Sequence, residues 1–335
     1  MARGAAAALL VTWFILSGIR ASGAGSASAP GASAELASPY QQYQLKLRPF
    51  VPIPGRPAGV LLQARINGGQ PLRLLLDSGA ELIVIGAKTG RAVGLSARSE
   101  MELIGLGSRV ARVGRAATVE IGPVRFRNCP VVLVDSKVVE GADGVIPLSL
   151  FSDFLLRLNL PQKTLGLIPY PREESPPVPP ARGVTKGVTK HDVLLVAAVL
   201  NGKRNGYVVV DTGAFCSAVS HEVARALSGF QIVPEVRLAA GTGAAIGQRL
   251  SSTAHFAIAK HDLIADEVVA LDLSNLSQHY GVEVIGVLGF RAFARSVLTI
   301  DYRTRRVEIG PPQSVSAREL NRGRNAEPHA ALAFR

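Results

Sequence analysis

The residues best suited to chemistry lie in two copies of a short acidic motif. The first copy, at 74–80, reads Leu-Leu-Leu-Asp-Ser-Gly-Ala, and the second, at 208–214, reads Val-Val-Val-Asp-Thr-Gly-Ala. In each copy an apolar run typical of a strand ends in one carboxylate, one hydroxyl and one glycine. We therefore interpret the two copies as halves of one active site, with Asp77 and Asp211 as its catalytic residues.

The chemistry expected of two adjacent carboxyls is acid–base hydrolysis. Two carboxylates within hydrogen-bond distance cannot both ionise cheaply, so Asp77 and Asp211 would share one proton. The ionised member can take a proton from a water molecule, while the protonated member donates to the carbonyl oxygen of the substrate. This is acyl hydrolysis through activated water, and it requires no covalent intermediate, metal or other cofactor.

Four further residues of the motifs are predicted to support the active-site loops. Gly79 and Gly213 allow the two loops to turn tightly and to approach each other. Ser78 and Thr212 offer hydroxyl groups that can fix one loop against the other. The motif therefore supplies both the reacting groups and the means of holding them together.

The motif is part of a longer internal duplication. At an offset of 134 residues, Ile66-Asn67-Gly68 matches Leu200-Asn201-Gly202, and at an offset of 142, residues 144–148 match residues 286–290. The change of eight in the offset indicates a loop insertion in the second half. Because a turn, a strand and an Asp loop recur in the same order, the sequence predicts two similar lobes.

The composition favours an all-β architecture, since 34 glycines and 21 prolines among 335 residues suit short strands and many turns. We predict a first lobe at 44–170 and a second lobe at 191–312, joined by a Pro-rich linker at 171–190. A flexible leader is expected at 24–43 and a disordered tail at 313–335.

Residues 1–23 are predicted to be an export signal. Arg3 supplies a positive charge, residues 5–19 form an uninterrupted run of apolar or small residues, and residues 21–24 are small enough for cleavage. A single membrane anchor is the alternative, but this run of 15 residues is shorter than the roughly 20 needed to span a bilayer. We therefore expect an exported protein, periplasmic or secreted, without a stable membrane anchor.

Taken together, these features resemble the aspartic peptidases of the pepsin and retropepsin clan. The resemblance covers about 44–170 and 190–312, and the Asp-(Ser/Thr)-Gly-Ala form is closer to the retropepsins. It implies two retropepsin-like β-barrel lobes, paired as in the bilobal pepsin-like enzymes. It also implies that two glycine-bearing hairpins act as flaps over the substrate cleft, and the candidate glycines are Gly105, Gly107, Gly241 and Gly243.

One position departs from the family pattern. The family packs a hydrophobic-hydrophobic-Gly segment under each Asp loop, which Val287-Leu288-Gly289 supplies in the second lobe, whereas Pro147 replaces the glycine in the first. Proline fixes φ and removes a donor, so the packing under Asp77 is expected to differ. The predicted function is an aspartic endopeptidase, and the alternative is a non-catalytic peptide-binding protein that retains the cleft.

The remaining features indicate no specific partner other than a peptide or protein substrate. The formal net charge is +12, but no run of Lys or Arg exceeds two residues, so no specific nucleic-acid binding is predicted. The six histidines are scattered and suggest no metal site. Cys129 and Cys216 occupy unrelated positions of the repeat, which favours two buried thiols over a disulfide.

The oligomeric state follows from how the lobes pair. We expect the two lobes to pair with each other within one chain, which would make the protein a monomer. The alternative is that each lobe pairs with its twin in another chain, which would give a homodimer.

Overall fold

The structure is a computed structural model that describes residues 9–10, 33–35, 41–104, 108–135, 138–170, 184–190, 192–226, 232–240, 243–250 and 253–310. Most of these residues lie in strands, so the predicted all-β class is confirmed. The strands of the first half are β1 (Leu9–Leu10), β2 (Ser33–Glu35), β3 (Tyr43–Lys46), β4 (Arg48–Phe50), β5 (Gly59–Ile66), β6 (Leu72–Asp77), β7 (Ile83–Gly86), β8 (Ala97–Ile104), β9 (Ser108–Ile121), β10 (Val124–Val134), β11 (Gly144–Pro147), β12 (Phe154–Asn159) and β13 (Thr164–Pro169).

The second half repeats this pattern of short strands. Its strands are β14 (Val184–Lys190), β15 (Val193–Leu200), β16 (Arg204–Asp211), β17 (Ser217–Ser220), β18 (Ile232–Ala240), β19 (Gly243–Leu250), β20 (Ala254–Ile258), β21 (His261–Ala265), β22 (Val268–Leu271), β23 (Val284–Gly289), β24 (Val297–Asp301) and β25 (Arg306–Gly310). The helices are short: α1 (Ala87–Ala92), α2 (His221–Ala226), α3 (Ser274–Tyr280), α4 (Phe290–Phe293) and a 3₁₀ turn at Leu148–Phe151.

The first lobe is built on a sheet with the strand order β2-β10-β7-β11-β6-β5-β9-β8. Strand β6, which ends at Asp77, lies inside this sheet, parallel to β11 and antiparallel to β5. Its leucines at 74, 75 and 76 are fully buried, as expected for a strand that is covered on both faces. The uninterrupted apolar run therefore reflects an interior strand that carries the carboxylate.

The second lobe gives its own Asp strand the same neighbours. Strand β16, which ends at Asp211, is parallel to β23 and antiparallel to β15, and its valines at 208, 209 and 210 are fully buried. The duplicated sequence thus folds into a duplicated arrangement, which confirms the prediction of two lobes related by an internal repeat.

The repeated Asn-Gly pairs form matching tight turns before the two Asp strands. In the first lobe Asn67 and Gly68 have φ values of 51° and 69°, and in the second Asn201 and Gly202 have 49° and 66°. Two successive positive φ values are typical of type I′ hairpin turns, which favour Asn-Gly. In each turn the Asn side-chain oxygen also accepts a backbone N–H from a neighbouring strand, that of Thr118 at 3.2 Å or that of His255 at 2.8 Å.

The lobes share a sheet that runs beneath them in the order β3-β13-β12-β24-β25-β14. Strand β12 of the first lobe pairs antiparallel with β24 of the second, with Leu156 opposite Ile300 and Leu158 opposite Leu298. All four side chains are fully buried. This shared sheet joins the lobes through both backbone hydrogen bonds and a common apolar core.

The linker predicted at 171–190 is shorter than expected. Its last seven residues form β14, which pairs with β25 in the shared sheet and with β15 of the second lobe. The polar sequence of these residues has no alternation of apolar and polar positions, so it gave no signal of a strand. Residues 171–183 lie outside the described part of the chain, as do the tail at 313–335 and most of 1–43.

Candidate active site

The structure brings the two motif aspartates together between the lobes. Asp77 is the last residue of β6 and Asp211 the last of β16, and both side chains are fully buried. Each lies beside the end of the parallel neighbouring strand, Asp77 beside Pro147 and Asp211 beside Gly289. Parallel strands that end at the same edge leave the loops that follow them free to meet.

Four hydrogen bonds cross from one Asp loop to the other. The backbone N–H of Ser78 donates to Oγ1 of Thr212 at 3.0 Å, and that hydroxyl donates to the carbonyl oxygen of Leu76 at 2.7 Å. Reciprocally, the N–H of Thr212 donates to Oγ of Ser78 at 3.0 Å, and this hydroxyl donates to the carbonyl oxygen of Val210 at 2.7 Å. Each hydroxyl thus satisfies one donor and one acceptor of the opposite lobe, in a fully buried setting.

Each carboxyl is also oriented by its own loop. Oδ1 of Asp77 accepts the N–H of Gly79 at 2.7 Å, and Oδ1 of Asp211 accepts those of Gly213 at 2.8 Å and Ala214 at 2.9 Å. The Oδ2 atoms of both carboxyls are buried and have no conventional donor among the described residues. A proton shared between the two carboxyls supplies what these oxygens need.

The two glycines permit this close approach. A Cβ atom placed on Gly79 would lie 2.8 Å from Cγ of Asp211, and one placed on Gly213 would overlap the carboxyl of Asp77. Each glycine therefore lies against the carboxyl of the opposite loop, where any side chain would separate the two aspartates. The predicted requirement for glycine at these positions thus has a direct steric reason.

Burial controls the ionisation of the dyad, which we define as the carboxyls of Asp77 and Asp211. Burial raises the pKa of Asp77 well above its ordinary value, and the charge of Asp211 and the hydrogen bond between the carboxyls raise it further. Burial also raises the pKa of Asp211, to about 6, but the hydrogen bond from Asp77 and the N–H groups of Gly213 and Ala214 oppose the rise. Burial and the proximity of the two carboxyls therefore favour a pair that holds one proton over a pair that is fully ionised.

The proline beneath Asp77 is accommodated by a second difference between the lobes. In the second lobe the N–H of Gly289 donates to Oγ of Ser217 at 3.1 Å. In the first lobe Pro147 has no N–H to donate, and the residue at the position of Ser217 is Ile83, which needs no donor. Pro147 keeps the parallel register with Asp77. The packing differs from that of the second lobe, as expected, but the combination of Pro147 and Ile83 leaves no buried donor or acceptor without a partner.

The predicted flaps correspond to two long hairpins. Strands β8 and β9 pair antiparallel from Ile104 opposite Ser108, and β18 pairs with β19 from Ala240 opposite Gly243. Of the four candidate glycines, Gly243 begins β19, whereas Gly105, Gly107 and Gly241 lie outside the described residues. The hairpins themselves are therefore present, and the role of their tips stays a prediction.

Sequence reasoning missed a set of residues that approach the loops from the opposite lobe. His279 on α3 lies 3.4 Å from the carboxylate of Glu81, measured between Nε2 and Oε1. Glu81 and Phe215 are the equivalent residues of the two loops, and the guanidinium of Arg56 from the first lobe stacks over the Phe215 ring at 5.1 Å. The repeat itself could identify Glu81 and Phe215 as equivalent, because each lies four residues after its Asp. Their partners His279 and Arg56 lie in segments that do not recur, so the sequence gave no signal for these contacts.

Three other predictions concern sites away from the dyad. Cys129 and Cys216 are buried and are not joined in a disulfide. Within the described ranges, no group of three or more His, Cys, Asp or Glu side chains is placed to hold a metal ion. No helix in those ranges combines the length and apolar character needed to cross a membrane.

The comparisons with known proteins agree with this geometry. Residues 62–156 match the family described as aspartyl protease. A search of curated proteins found no match. Among solved structures, the chain is similar to an aspartic proteinase from Irpex lacteus, with a TM-score of 0.54 and 12% sequence identity over 83% of this chain and 99% of that one.

The family match falls on the first lobe and includes β6 and the Asp77 loop, while the structural similarity extends over both lobes. At 12% identity the structural similarity concerns the fold, which is that of a bilobal, pepsin-like protein. The first lobe is therefore similar to the aspartyl protease family, and the chain shares its fold with a pepsin-like aspartic proteinase.

Proposed function

We propose that this protein is an aspartic endopeptidase that hydrolyses peptide bonds with water activated by Asp77 and Asp211. The observation that carries the proposal is the pairing of two fully buried carboxyls, one from each lobe, held by four reciprocal hydrogen bonds between their loops. Such rigid, water-excluded placement is what general acid–base catalysis requires.

In the proposed mechanism one carboxyl of the pair is ionised and the other keeps the shared proton. We assign the role of base to Asp211, whose ionised form is stabilised by the N–H groups of Gly213 and Ala214 at 2.8 and 2.9 Å, so that it takes a proton from the attacking water. Asp77, whose pKa burial raises well above the ordinary range, keeps the shared proton and donates it toward the carbonyl oxygen of the peptide. The extra negative charge that develops on that oxygen is stabilised by the same hydrogen bond.

The substrate is proposed to be a peptide or protein that lies extended in the cleft between the lobes. The hairpins β8–β9 and β18–β19 are proposed to act as flaps over this chain, as the sequence predicts. We further propose that the protein acts outside the cytoplasm after removal of residues 1–23, as a monomer whose lobes pair within one chain.

The alternative of a non-catalytic peptide-binding protein depended on Pro147. The matching replacement of Ser217 by Ile83 at the equivalent position weakens that argument, because the proline leaves no polar group of this pair without a partner. The intact carboxyl pair favours catalysis.

The deciding experiment is hydrolysis of a peptide library by the wild type, Asp77→Asn, Asp211→Asn and the double variant. We expect each single variant to lose on the order of 10³-fold or more in kcat/KM, and the double variant to lose little beyond that, because the two residues act as a unit. Asp262→Asn, which alters an exposed carboxylate paired with His255, is the matched control. Retention of most activity by either single dyad variant would contradict the proposal, as would loss of wild-type activity with a chelator.

A further inference from the structure

A second pair of titratable groups joins the lobes next to the dyad. Oε1 of Glu81 in the first lobe lies 3.4 Å from Nε2 of His279 in the second, and the side chains are only 13% and 8% exposed. The His279 ring is tilted against that of Tyr280, with centroids 4.8 Å apart. Tyr280 is fully buried, and its hydroxyl has no hydrogen-bond partner among the described residues.

Both members of this pair are attached to backbone that carries the dyad. Glu81 follows Ala80, whose N–H bonds to the carboxyl of Asp77. His279 lies on α3, which Ser277 fastens to the start of β23 by accepting the N–H of Val284 at 3.0 Å. Strand β23 then runs to Gly289 beside Asp211. The contact therefore joins the Asp77 loop to the part of the second lobe that supports Asp211.

The contact is sensitive to the ionisation of Glu81. While Glu81 is protonated, its O–H can donate to Nε2 of His279; once Glu81 ionises, the neutral ring can still donate from Nε2 in its other tautomer, but the contact then buries a negative charge. Burial, and secondly the negative charge of Asp192, raise the pKa of Glu81 to about 9. Tyr280, which packs against His279, lies within electrostatic reach of Glu81, Asp211 and Asp77, so the pair lies among acidic groups that disfavour another negative charge nearby.

We propose that Glu81 is a positioning residue for the Asp77 loop: its hydrogen bond with His279 fixes this loop against the second lobe while Glu81 is neutral, and ionisation of the buried Glu81 carboxyl weakens this attachment. The inference rests on the proposed peptidase function, because it concerns the placement of a dyad carboxyl. It adds an ionisation that is separate from those of the dyad and that limits activity and stability at alkaline pH.

The equivalent position of the second lobe is built without a titrating pair. There Phe215 is flanked by the guanidiniums of Arg56 and Arg291, at 5.1 and 5.8 Å from the ring centroid. Arg56 of the first lobe also forms an ion pair with Glu267 of the second. Arginine stays charged throughout the accessible pH range. Arg56→Gln therefore removes an interlobe contact of comparable location and serves as a matched control.

Thermal unfolding tests the proton dependence without requiring activity. The folded state holds the Glu81 proton up to about pH 9, whereas the unfolded chain releases it near 4.5. The folded state thus binds more protons between these values, and Glu81 lowers stability as pH rises through that window. Relative to wild type, we expect Glu81→Gln to raise Tm by a few degrees, on the order of 2–4 °C, at about pH 8 and to change it little at about pH 4. Arg56→Gln should lower Tm by similar amounts at both.

Activity tests the positioning role. Glu81→Gln and Glu81→Met both remove the ionisation, but only the glutamine can still donate a hydrogen bond to His279. We expect Glu81→Met to lower kcat by about tenfold or more, and Glu81→Gln to restore much of this loss and to extend activity to higher pH than in the wild type.

Two results would overturn the inference: a Tm difference for Glu81→Gln that is the same at both pH values, or an equal loss of kcat in Glu81→Gln and Glu81→Met. If the wild type hydrolyses no peptide, the proposed function fails on that result alone. The unfolding series still decides whether the Glu81–His279 contact is sensitive to the ionisation of Glu81.

Discussion

At the residue scale, the two carboxyls of the dyad are chemically different although their loops are nearly equivalent. Both are fully buried, yet the pKa of Asp211 is raised only to about 6, because the hydrogen bond from Asp77 and two backbone N–H groups oppose the effect of burial. The pKa of Asp77 is raised further by the adjacent charge of Asp211. These effects favour a pair that holds one proton over a pair in which both carboxyls are ionised.

The proposed roles of the two carboxyls predict the pH dependence of catalysis. In the proposed mechanism hydrolysis requires Asp211 ionised and Asp77 protonated, so kcat/KM should rise with pH through about 6 and fall again at the higher pH where Asp77 loses its proton. The measurement is kcat/KM for one peptide across the pH range, with a matching series for Glu81→Gln to separate its contribution at alkaline pH. A rate that is already maximal well below pH 6 and declines through it would contradict the assignment of Asp211 as the base.

The residues that the sequence made predictable are those inside the repeated motif. Asp77, Ser78, Asp211 and Thr212 could be identified because each recurs at one offset behind an apolar strand. His279 could not, since it lies 198 residues from Glu81 and meets it only when the lobes pair. A contact that depends on pairing between lobes leaves no periodic signal in either one.

At the scale of elements, the two lobes use different residues at the same place in the strand pair beneath each Asp loop. Gly289 of β23 donates to Ser217 of β17 in the second lobe, whereas the equivalent residues of the first lobe, Pro147 of β11 and Ile83 of β7, have neither this N–H nor this hydroxyl. Gly289 is also closely packed, because a Cβ atom there would lie 2.5 Å from the carbonyl carbon of Cys216. The two lobes therefore differ in whether they can accommodate a Cβ atom at this position.

This difference predicts opposite outcomes for one substitution. Gly289→Ala forces a Cβ atom into the backbone of β17 and should lower the free energy of unfolding by about 1–3 kcal/mol, with a loss of activity as β16 shifts. Pro147→Ala should change the free energy of unfolding by less than roughly 1 kcal/mol, because the site already holds a Cβ atom and loses only the rigidity of proline.

Urea unfolding and peptide hydrolysis of both variants provide the measurement. Gly310, where an added Cβ atom would meet no other atom within 4 Å, offers a control glycine: Gly310→Ala should be tolerated. Equal destabilisation by Gly289→Ala and Pro147→Ala would mean that the two lobes pack alike under their Asp loops.

The sequence showed where this departure occurs but not how it is accommodated. Pro147 could be recognised from the repeat at offset 142, and Ile83 opposes Ser217 at offset 134. Connecting the two replacements required the pairing of β11 with β7, which places Val145 opposite Val84. Strand register is a tertiary property that neither offset contains.

At the scale of the whole molecule, the lobes are joined by the shared sheet, by the crossed hydrogen bonds of the Asp loops and by the linker. The first two connections are non-covalent and bury the apolar side chains of β12 and β24. The linker adds a high effective concentration of each lobe for the other, in the millimolar range for a short flexible tether. We therefore expect the lobes to pair within one chain and not between chains.

Cutting the linker separates these contributions. A protease site inserted within 171–183, between β13 and β14, should give a cleaved protein that stays active at high concentration because the shared sheet holds the lobes together. Its specific activity should fall on dilution, whereas that of the uncut protein should not. Activity and sedimentation over a dilution series provide the measurement. Activity of the uncut protein that also falls on dilution would favour pairing between chains.

The fold class and the two lobes were easier to predict from the sequence than the end of the linker between them. Alternating turns and apolar runs predicted the class, and the repeat predicted two lobes. The end of the linker was wrong because the polar sequence of β14 gives no amphipathic pattern, and its strand conformation comes from pairing on both sides with β15 and β25. Tertiary pairing therefore overrides weak local preference here.

The matched replacements beneath the loops also constrain how the two halves of the gene can exchange sequence. Recombination between duplicated segments that carried β17 into the first lobe without β23 would bury the hydroxyl of Ser217 against Pro147, which has no N–H to donate. The reverse exchange would leave the N–H of Gly289 facing an isoleucine. Either hybrid would bury an unpaired polar group, at a cost of about 1–3 kcal/mol. Only crossovers that transfer both strands together preserve every polar pairing, although the two strands lie far apart in each half.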